Sequence, residues 1–382
     1  MSKALIIAEK PSVASDLARA LGGFKKESDH FEGDRYIISS ALGHLVELCL
    51  PSELDVKRGK WSFANLPIIP DEFELKPIEK TKARFNMLKR LMQRQDVDLL
   101  INACDAGREG ELIFRYLLKL SGIIKPVKRL WLQSMTAESI RSAFDHLRPE
   151  EEMVPLSKAA VCRSESDWLV GINGTRAMTA FNNKTGGFQL TPVGRVQTPT
   201  LAILTEREEK IHHFKPRTYF EVFADFEVKA GSYRGRWFRE DFAKDGDEDA
   251  RAERIWEKES ADAIKARCLG KVGVANEERK PTTQAPPLLY DLTSLQRDAN
   301  SRGFSAKRTL QIAQQLYERH KVITYPRTDS RYLPEDYLAT VRSTLGKIDN
   351  QHARKALENN WVKPSKRIFN NAKISDHFAI VP

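Results

Sequence analysis

The sequence is poor in what membranes and secretion require. No apolar run among its 382 residues approaches the ~20 needed to span a bilayer. The N-terminal stretch Met1-Ser2-Lys3-Ala4-Leu5-Ile6-Ile7-Ala8-Glu9 is too short for a secretory signal and meets an acid at once. A cytoplasmic location is the default expectation. Only four cysteines occur, Cys49, Cys104, Cys162 and Cys268, all far apart. That spacing excludes a C-x-x-C zinc or redox pair and fits reduced thiols. No Gly-x-x-x-x-Gly-Lys-Ser/Thr loop is present, so nothing points to a nucleotide cofactor.

What is abundant is charge. Lys and Arg number 62 against 52 acids, a net +10, and 41% hydrophobic content suits a folded protein. The basic excess points, weakly, to a polyanion such as nucleic acid. A chain this long predicts two or three domains.

Along the chain, strand and helix patterns alternate first. Residues 3–8 form an apolar run, followed by Pro11 and a helical spacing of Val13, Leu17, Ala20 and Leu21 up to Gly22-Gly23. Residues 36–42 read as a strand, 82–93 as a helix, 97–103 as a buried strand, 109–120 as a helix and 128–132 as a strand. Thr136 is placed to cap a helix running to Leu147. This alternation predicts a largely parallel sheet over residues 1–150. Residues 151–215 read as mainly helical, with 154–181 the clearest part, and 216–280 as β-rich, with antiparallel strands at 219–228 and 233–238. A Pro-rich linker, Pro281-Thr282-Thr283-Gln284-Ala285-Pro286-Pro287, opens the last segment, 281–382, with helices at 294–300 and 306–319 and a short strand at 321–324.

Two constellations carry chemistry. Glu9 follows the first strand, and Asp105-Ala106-Gly107-Arg108-Glu109-Gly110-Glu111 follows the strand at 97–103. Ligand sites gather beyond the carboxyl ends of parallel strands, and clustered carboxylates suit a hard cation such as Mg²⁺. The plainer alternative is a helix N-terminus that favours acids. The second constellation is Ile323-Thr324-Tyr325-Pro326-Arg327-Thr328-Asp329-Ser330. Its tyrosine is either a packed aromatic at a turn or a nucleophile. With a reference pKa of ~10, a phenol needs nearby cations to act as one, and Arg327 can clamp a phosphate.

These segments, together with Glu9-Lys10-Pro11-Ser12, Gly194-Arg195-Val196-Gln197-Thr198-Pro199, Ala313-Gln314-Gln315-Leu316-Tyr317-Glu318 and Ser375-Asp376-His377, resemble type IA DNA topoisomerases of the topoisomerase III branch. The resemblance implies an α/β toprim domain followed by the mixed α and β domains of the type IA ring. It implies an ATP-independent enzyme that cuts one DNA strand through a 5′-phosphotyrosyl link, passes a strand and reseals, relaxing or decatenating DNA. By motif position, Tyr325 would be the nucleophile, Glu9 the proton carrier for the leaving sugar oxygen, and Lys10 and Arg327 the phosphate-binding cations. His377 would lie near the site. Glu9, Asp105 and Glu109 would hold Mg²⁺.

Single-stranded DNA would run past Trp61, Arg163, Asp167, Trp168, Arg176, Asn183, the segment Pro192, Val193, Gly194, Arg195, Val196, Gln197, and Arg327. Read alone, Trp168 fits a core position better, since Leu169 and Val170 flank it. Two departures stand out. Gly107 replaces the middle acid of the family's Asp-x-Asp-x-Glu motif, which argues against two metal ions. The chain also stops soon after His377, so the resemblance implies an N-terminal portion or shortened form, with the ring incomplete at the C-terminus. A non-catalytic single-strand-binding fragment is the rival expectation.

Overall fold

A computed structural model describes residues 2–53, 61–132, 134–184, 186–244, 246–374 and 377–382. It divides into two compact units, Met1–Gln197 with Pro286–Pro382, and Thr198–Ala285.

The first unit is organised by a seven-stranded sheet of order β2-β3-β4-β1-β7-β8-β9. Its strands are β1 (Lys3–Ala8), β2 (Lys25–Lys26), β3 (Phe31–Glu32), β4 (Tyr36–Ser40), β7 (Val97–Ala103), β8 (Val127–Arg129) and β9 (Arg148–Pro149), while β5 (Val46–Leu48) and β6 (Leu75–Pro77) pair separately. The four central strands are parallel. Period-two alternation along β1 feeds two cores. Leu5 and Ile7 face Leu88, Met92, Phe114 and Leu117, from α2 (Lys82–Met92) and α3 (Arg108–Ser121). Ala4, Ile6 and Ala8 face Leu17 and Ile140, from α1 (Pro11–Leu21) and α4 (Ala137–Asp145). The expected cap is present, Thr136 Oγ1 accepting from Ser139 N. The chain leaves β1 toward β4 on one side and returns at β7 on the other, so β1 and β7 flank a topological switch point.

One edge of this sheet is pinned by charge. Arg94 grips Glu32 with two bonds of 2.9 Å, and Lys3 and His30 also reach Glu32. Burial works to raise the Glu32 pKa, but the bonds from Arg94 and Lys3 hold it below the usual carboxylate range. A depressed folded pKa stabilises above the unfolded value and is lost as pH falls through the folded one. Glu32→Gln is expected to cost about 1–2 kcal/mol at pH 7, discounted for partial exposure. In urea titrations the difference from the parent should begin to shrink as pH falls below about 4 and be lost once pH passes below the depressed pKa of the folded state.

Helix α5 (Glu150–Asn182) is a single 33-residue helix, starting earlier than its hydrophobic pattern predicts because Glu150, Glu151 and Glu152 suit its N-terminus. The remainder of this unit comprises α8 (Leu292–Asn300), α9 (Ala306–Gln315), α10 (Leu338–Lys347) and α11 (Gln351–Glu358), with a small core of Leu333, Phe369 and Ala379. The strand expected at 321–324 does not form. After α9 a π-helical turn, Leu316–His320, ends at Lys321 with a left-handed φ of 57°, which breaks the extended path. Thr324 then bonds Val381 and Ala379 individually.

The second unit holds an antiparallel hairpin, β10 (Phe223–Val228) with β11 (Gly231–Arg236), and α7 (Lys258–Cys268). Helix α6 (Gln197–His212) leads into it and buries no residue. Among the described residues no helix is long and apolar enough to cross a membrane.

Candidate active site

Register builds the site. Ala8 of β1 pairs with Ala103 of β7, so Glu9 and Asp105 leave adjacent strand ends. The Asp105 backbone lies against the Glu9 carboxylate. Gly110 in α3 permits this turn, since a Cβ there would meet the Asp105 carbonyl oxygen at 2.2 Å. Gly107 is extended, at φ −169°, a conformation open to any residue. The missing middle acid is therefore not demanded by the backbone.

Lys10 is the hub. Its Nζ lies 3.1 Å from Asp105 Oδ2, 3.6 Å from Glu9 Oε1 and 4.3 Å from the centre of the Tyr325 ring. His377 completes the ring of contacts. Its Nε2 is 3.3 Å from Asp105 Oδ2, and its imidazole sits 4.3 Å from the Tyr325 ring. Tyr317, from the π-helical turn, packs edge-on against Tyr325 at 5.2 Å. Tyr325 is thus delivered to the acids at the sheet's carboxyl edge. A second contact closes the same assembly: Asp336 accepts from Ser134 Oγ and Thr136 Oγ1, both at 2.9 Å.

The charges follow. Burial and the Asp105 charge push the Glu9 carboxyl above its ordinary value. Burial opposes ionisation of Asp105 too, but the bond from His377 and the charge of Lys10 bring it down to about 2. Burial works against the Lys10 ammonium, and the Asp105 and Glu9 charges more than offset it, so its pKa is raised. Arg327 is held by Gln314, whose side-chain oxygen, in the amide orientation that satisfies both groups, accepts from Nη2 at 2.9 Å and Nε at 3.1 Å.

The expected ligand set of Glu9, Asp105 and Glu109 is not brought together. Glu109 turns to His44, Oε2 to Nε2 3.3 Å, and among the described residues no three His, Cys, Asp or Glu side chains gather as a metal site. What fits a hard cation is narrower. Glu9 Oε2 is buried without a hydrogen-bond partner beside the Asp105 carboxylate. Glu111, the third acid of the run, points inward and is fully buried.

That burial exposes a network that sequence reasoning missed. Glu111 accepts from Asn102 Nδ2 at 3.0 Å and Arg115 Nε at 2.7 Å. Buried Arg129 donates to the carbonyls of Asn102 (2.9 Å), Cys104 (2.7 Å) and Asp105 (2.6 Å). These groups shape the turn that carries Asp105. The available signal was Asn102, a polar residue between the apolar run Leu99-Leu100-Ile101 and Ala103.

Along α5 the expected strand-contacting residues fare unevenly. Trp168 is 8% exposed, its Nε1 donates to the Cys49 carbonyl at 2.9 Å, and Phe73 packs edge-on at 5.4 Å. Arg195 reaches Asp167 Oδ1 at 3.0 Å and the Arg163 carbonyl at 3.4 Å, bringing these three together on an exposed face. Val193 lies against Gly174, where a Cβ would meet Cγ1 at 2.7 Å, and its N–H donates to Thr175 Oγ1. Pro192, Gly194, Val196 and Gln197 follow along the same exposed run, Gln197 opening α6. Asn183 uses its side-chain oxygen to accept from Gln189 N. Arg176 sits over Trp61 at 5.5 Å. Ser375 and Asp376 lie outside the described residues.

Comparison with known proteins agrees with this geometry. A Toprim domain profile matches residues 4–135, and a DNA topoisomerase profile matches residues 151–382. The chain is 42% identical over 388 residues to DNA topoisomerase 3 of Shouchella clausii, 43% over 389 to that of Bacillus cereus, and 41% over 387 to that of Bacillus subtilis. Each alignment covers 100% of this chain and 51% of the relative, so the chain spans about half the length of these relatives. Full-length topoisomerase I of Thermotoga maritima shares the fold, with a TM-score of 0.59 at 22% identity, over 97% of this chain and 61% of that one. A toprim sheet whose switch point faces a tyrosine-bearing segment, matched by both profiles in order, places this chain in the type IA DNA topoisomerase family, on the topoisomerase III branch.

Proposed function

We propose that this chain cleaves one strand of DNA by transesterification at Tyr325 and reseals it without a nucleotide cofactor. One observation carries the reading: the Tyr325 ring packs against Lys10 and His377, and both of those side chains hold Asp105. The Tyr325 hydroxyl oxygen attacks a backbone phosphorus, the phosphorus–O3′ bond breaks, and the 5′-phosphate becomes esterified to tyrosine. The Tyr325 phenol gives up its proton to solvent as its bond to phosphorus forms, and the departing 3′ oxygen takes a proton from Glu9, whose raised pKa suits a donor and which regains a proton from solvent afterwards. Lys10, and Arg327 held by Gln314, offset the charge that develops on the phosphate. One ester replaces another, so the reverse attack reseals the strand with no external energy.

Asp105 and the unpartnered Oε2 of Glu9 would hold Mg²⁺, with water and phosphate oxygens completing its shell. Bound there, the ion supplies neutralisation of the acids and alignment of the phosphate. The substrate is single-stranded DNA, led to the site past Arg163, Asp167 and Arg195. Passage of a second strand through the break, and hence relaxation or decatenation, belongs to the same reading.

The test is direct. Labelled single-stranded DNA is incubated with the protein and Mg²⁺, then quenched with detergent. The expected product is a covalent protein–DNA species joined through the 5′-phosphate, lost on adding EDTA. Hydrolysis with no covalent species, or tight binding with no cleavage, overturns the proposal.

A further inference from the structure

One contact joins the toprim side to the tyrosine-bearing segment without using any group that the chemistry needs. Asp336 accepts from Ser134 Oγ and Thr136 Oγ1, both at 2.9 Å, across 202 and 200 residues of sequence. A carboxylate taking two hydroxyl protons makes charge-assisted bonds, and a negative charge beside the first turn of α4 is further favoured by the helix dipole.

Both ends of the contact are anchored. Ser134 is buried, and Thr136 caps α4, its Oγ1 accepting from Ser139 N while its own proton goes to Asp336. Ile140 of α4 shares a core with Leu17 of α1, and α1 begins directly after Lys10. On the other side Asp336 sits in the turn Glu335–Tyr337. Glu335 N donates to Asn371 Oδ1 at 3.0 Å, and the Tyr337 ring meets that of Phe378, the residue after His377, at 4.9 Å. Thr324 and Thr328, which flank Tyr325, donate to the carbonyls of Ala379 and His377. A shift of Asp336 away from Thr136 is therefore a shift of Tyr325 and His377 away from Lys10 and Asp105.

The other polar contacts described across this interface have a second duty. Lys10 and His377 hold Asp105 and pack on Tyr325, and the proposed reaction turns Lys10 to a phosphate and Asp105 to a metal ion. The Asp336 contact is not exchanged in that way. An intact DNA strand bound on both sides also ties them together. Once the phosphorus–O3′ bond is broken that tie is gone, and closure depends on contacts within the protein.

We infer that Asp336 is a positioning residue, the latch that keeps Tyr325 opposite Lys10 and Asp105 while the strand is cut. Its consequence for the reaction rests on the proposed cleavage, so two measurements separate them. In the first, labelled single-stranded DNA and Mg²⁺ are used as above. Asp336→Ala is expected to raise the steady-state fraction of covalent species about 3- to 10-fold, the worth of two bonds to a partly exposed carboxylate, because resealing slows more than cutting. A merely structural defect would lower that fraction. Asp336→Asn, whose amide oxygen still accepts, should fall between parent and alanine. Ser134→Ala/Asp336→Ala should match Asp336→Ala alone, since the two residues share one contact. Asp336 is exposed, so folding is expected to persist, and circular dichroism and melting check it. An unchanged or lowered fraction overturns the latch, as does additivity of the two substitutions.

The second measurement needs no chemistry. Dyes on Asp34→Cys and His352→Cys, both exposed positions, report the separation of the two sides without DNA, in a chain carrying Cys162→Ser and Cys268→Ser. Asp336→Ala should enlarge the population at longer separation by the same factor. Identical distance distributions overturn the latch. Absence of any covalent species in the parent sinks the cleavage reading instead, and the dye measurement still decides whether Asp336 holds the two sides together.

Discussion

Tyr325→Phe is expected to abolish the covalent protein–DNA species, by a factor of at least ~10⁴, since removing a nucleophile leaves only residual catalysis. The substitution is narrow in its other effects. The ring that meets Lys10, His377 and Tyr317 stays in place, because all three contacts are made by the aromatic face or edge. Affinity for single-stranded DNA should therefore remain within twofold, and melting within a degree or two. A covalent species that persists in this variant would move the nucleophile elsewhere. Tyr317 is the nearest other phenol, and burial raises its pKa, which makes it the poorer nucleophile.

Arg129→Met should have the largest effect on stability, about 3–5 kcal/mol, read as a shift of the denaturant midpoint at unchanged slope. The guanidinium is almost wholly buried and donates to three carbonyls around the turn, at Asn102, Cys104 and Asp105, as well as to Asn102 Oδ1 at 3.1 Å. Methionine fills similar space but takes the guanidinium donor from those carbonyls, Asn102 keeping Leu130 N and Asp105 keeping Gly107 N, and leaves Glu111 with Asn102 and Arg115.

A second effect follows from geometry. The Asp105 turn loses its anchor, so the yield of covalent species should fall at least ~10-fold even where the protein remains folded. Adding Glu111→Leu should not restore cleavage, since the guanidinium that holds the Asp105 turn is still missing, and it should not restore stability, because it takes the acceptor from Asn102 and Arg115. A loss below about 1 kcal/mol in Arg129→Met would contradict this account.

Much of the fold was legible because it is written in short-range patterns. Leu5-Ile6-Ile7 and Leu99-Leu100-Ile101 are apolar runs that only a sheet covered on both faces can bury, and they became the two strands of the switch point. Thr136 and the glycines after α1 punctuated helices where expected. Legibility failed where burial was missing or local propensity was overruled. Helix α6 lies inside a segment expected to be mainly helical, but it buries nothing, so no buried stripe marks its bounds. Residues 321–324 look like a strand, yet Lys321 turns left-handed and leaves Thr324 to bond the C-terminal segment singly. The hydrogen bond of Trp168 to Cys49 and its packing on Phe73 join segments far apart in sequence, which no local pattern announces.

From the sequence alone came the order of strands and helices, the acids at the ends of two of those strands, a tyrosine beside an arginine, and the family these segments resemble. Only the tertiary structure decided which of those groups act together. It made Lys10 the bridge between Glu9, Asp105 and Tyr325, sent Glu109 to His44 and Glu111 to the interior, and put Arg129 beneath the Asp105 turn. The reason is one of range. Periodicity and capping are fixed by neighbours within a few residues, whereas a site shared by segments hundreds of residues apart depends on how whole faces pack.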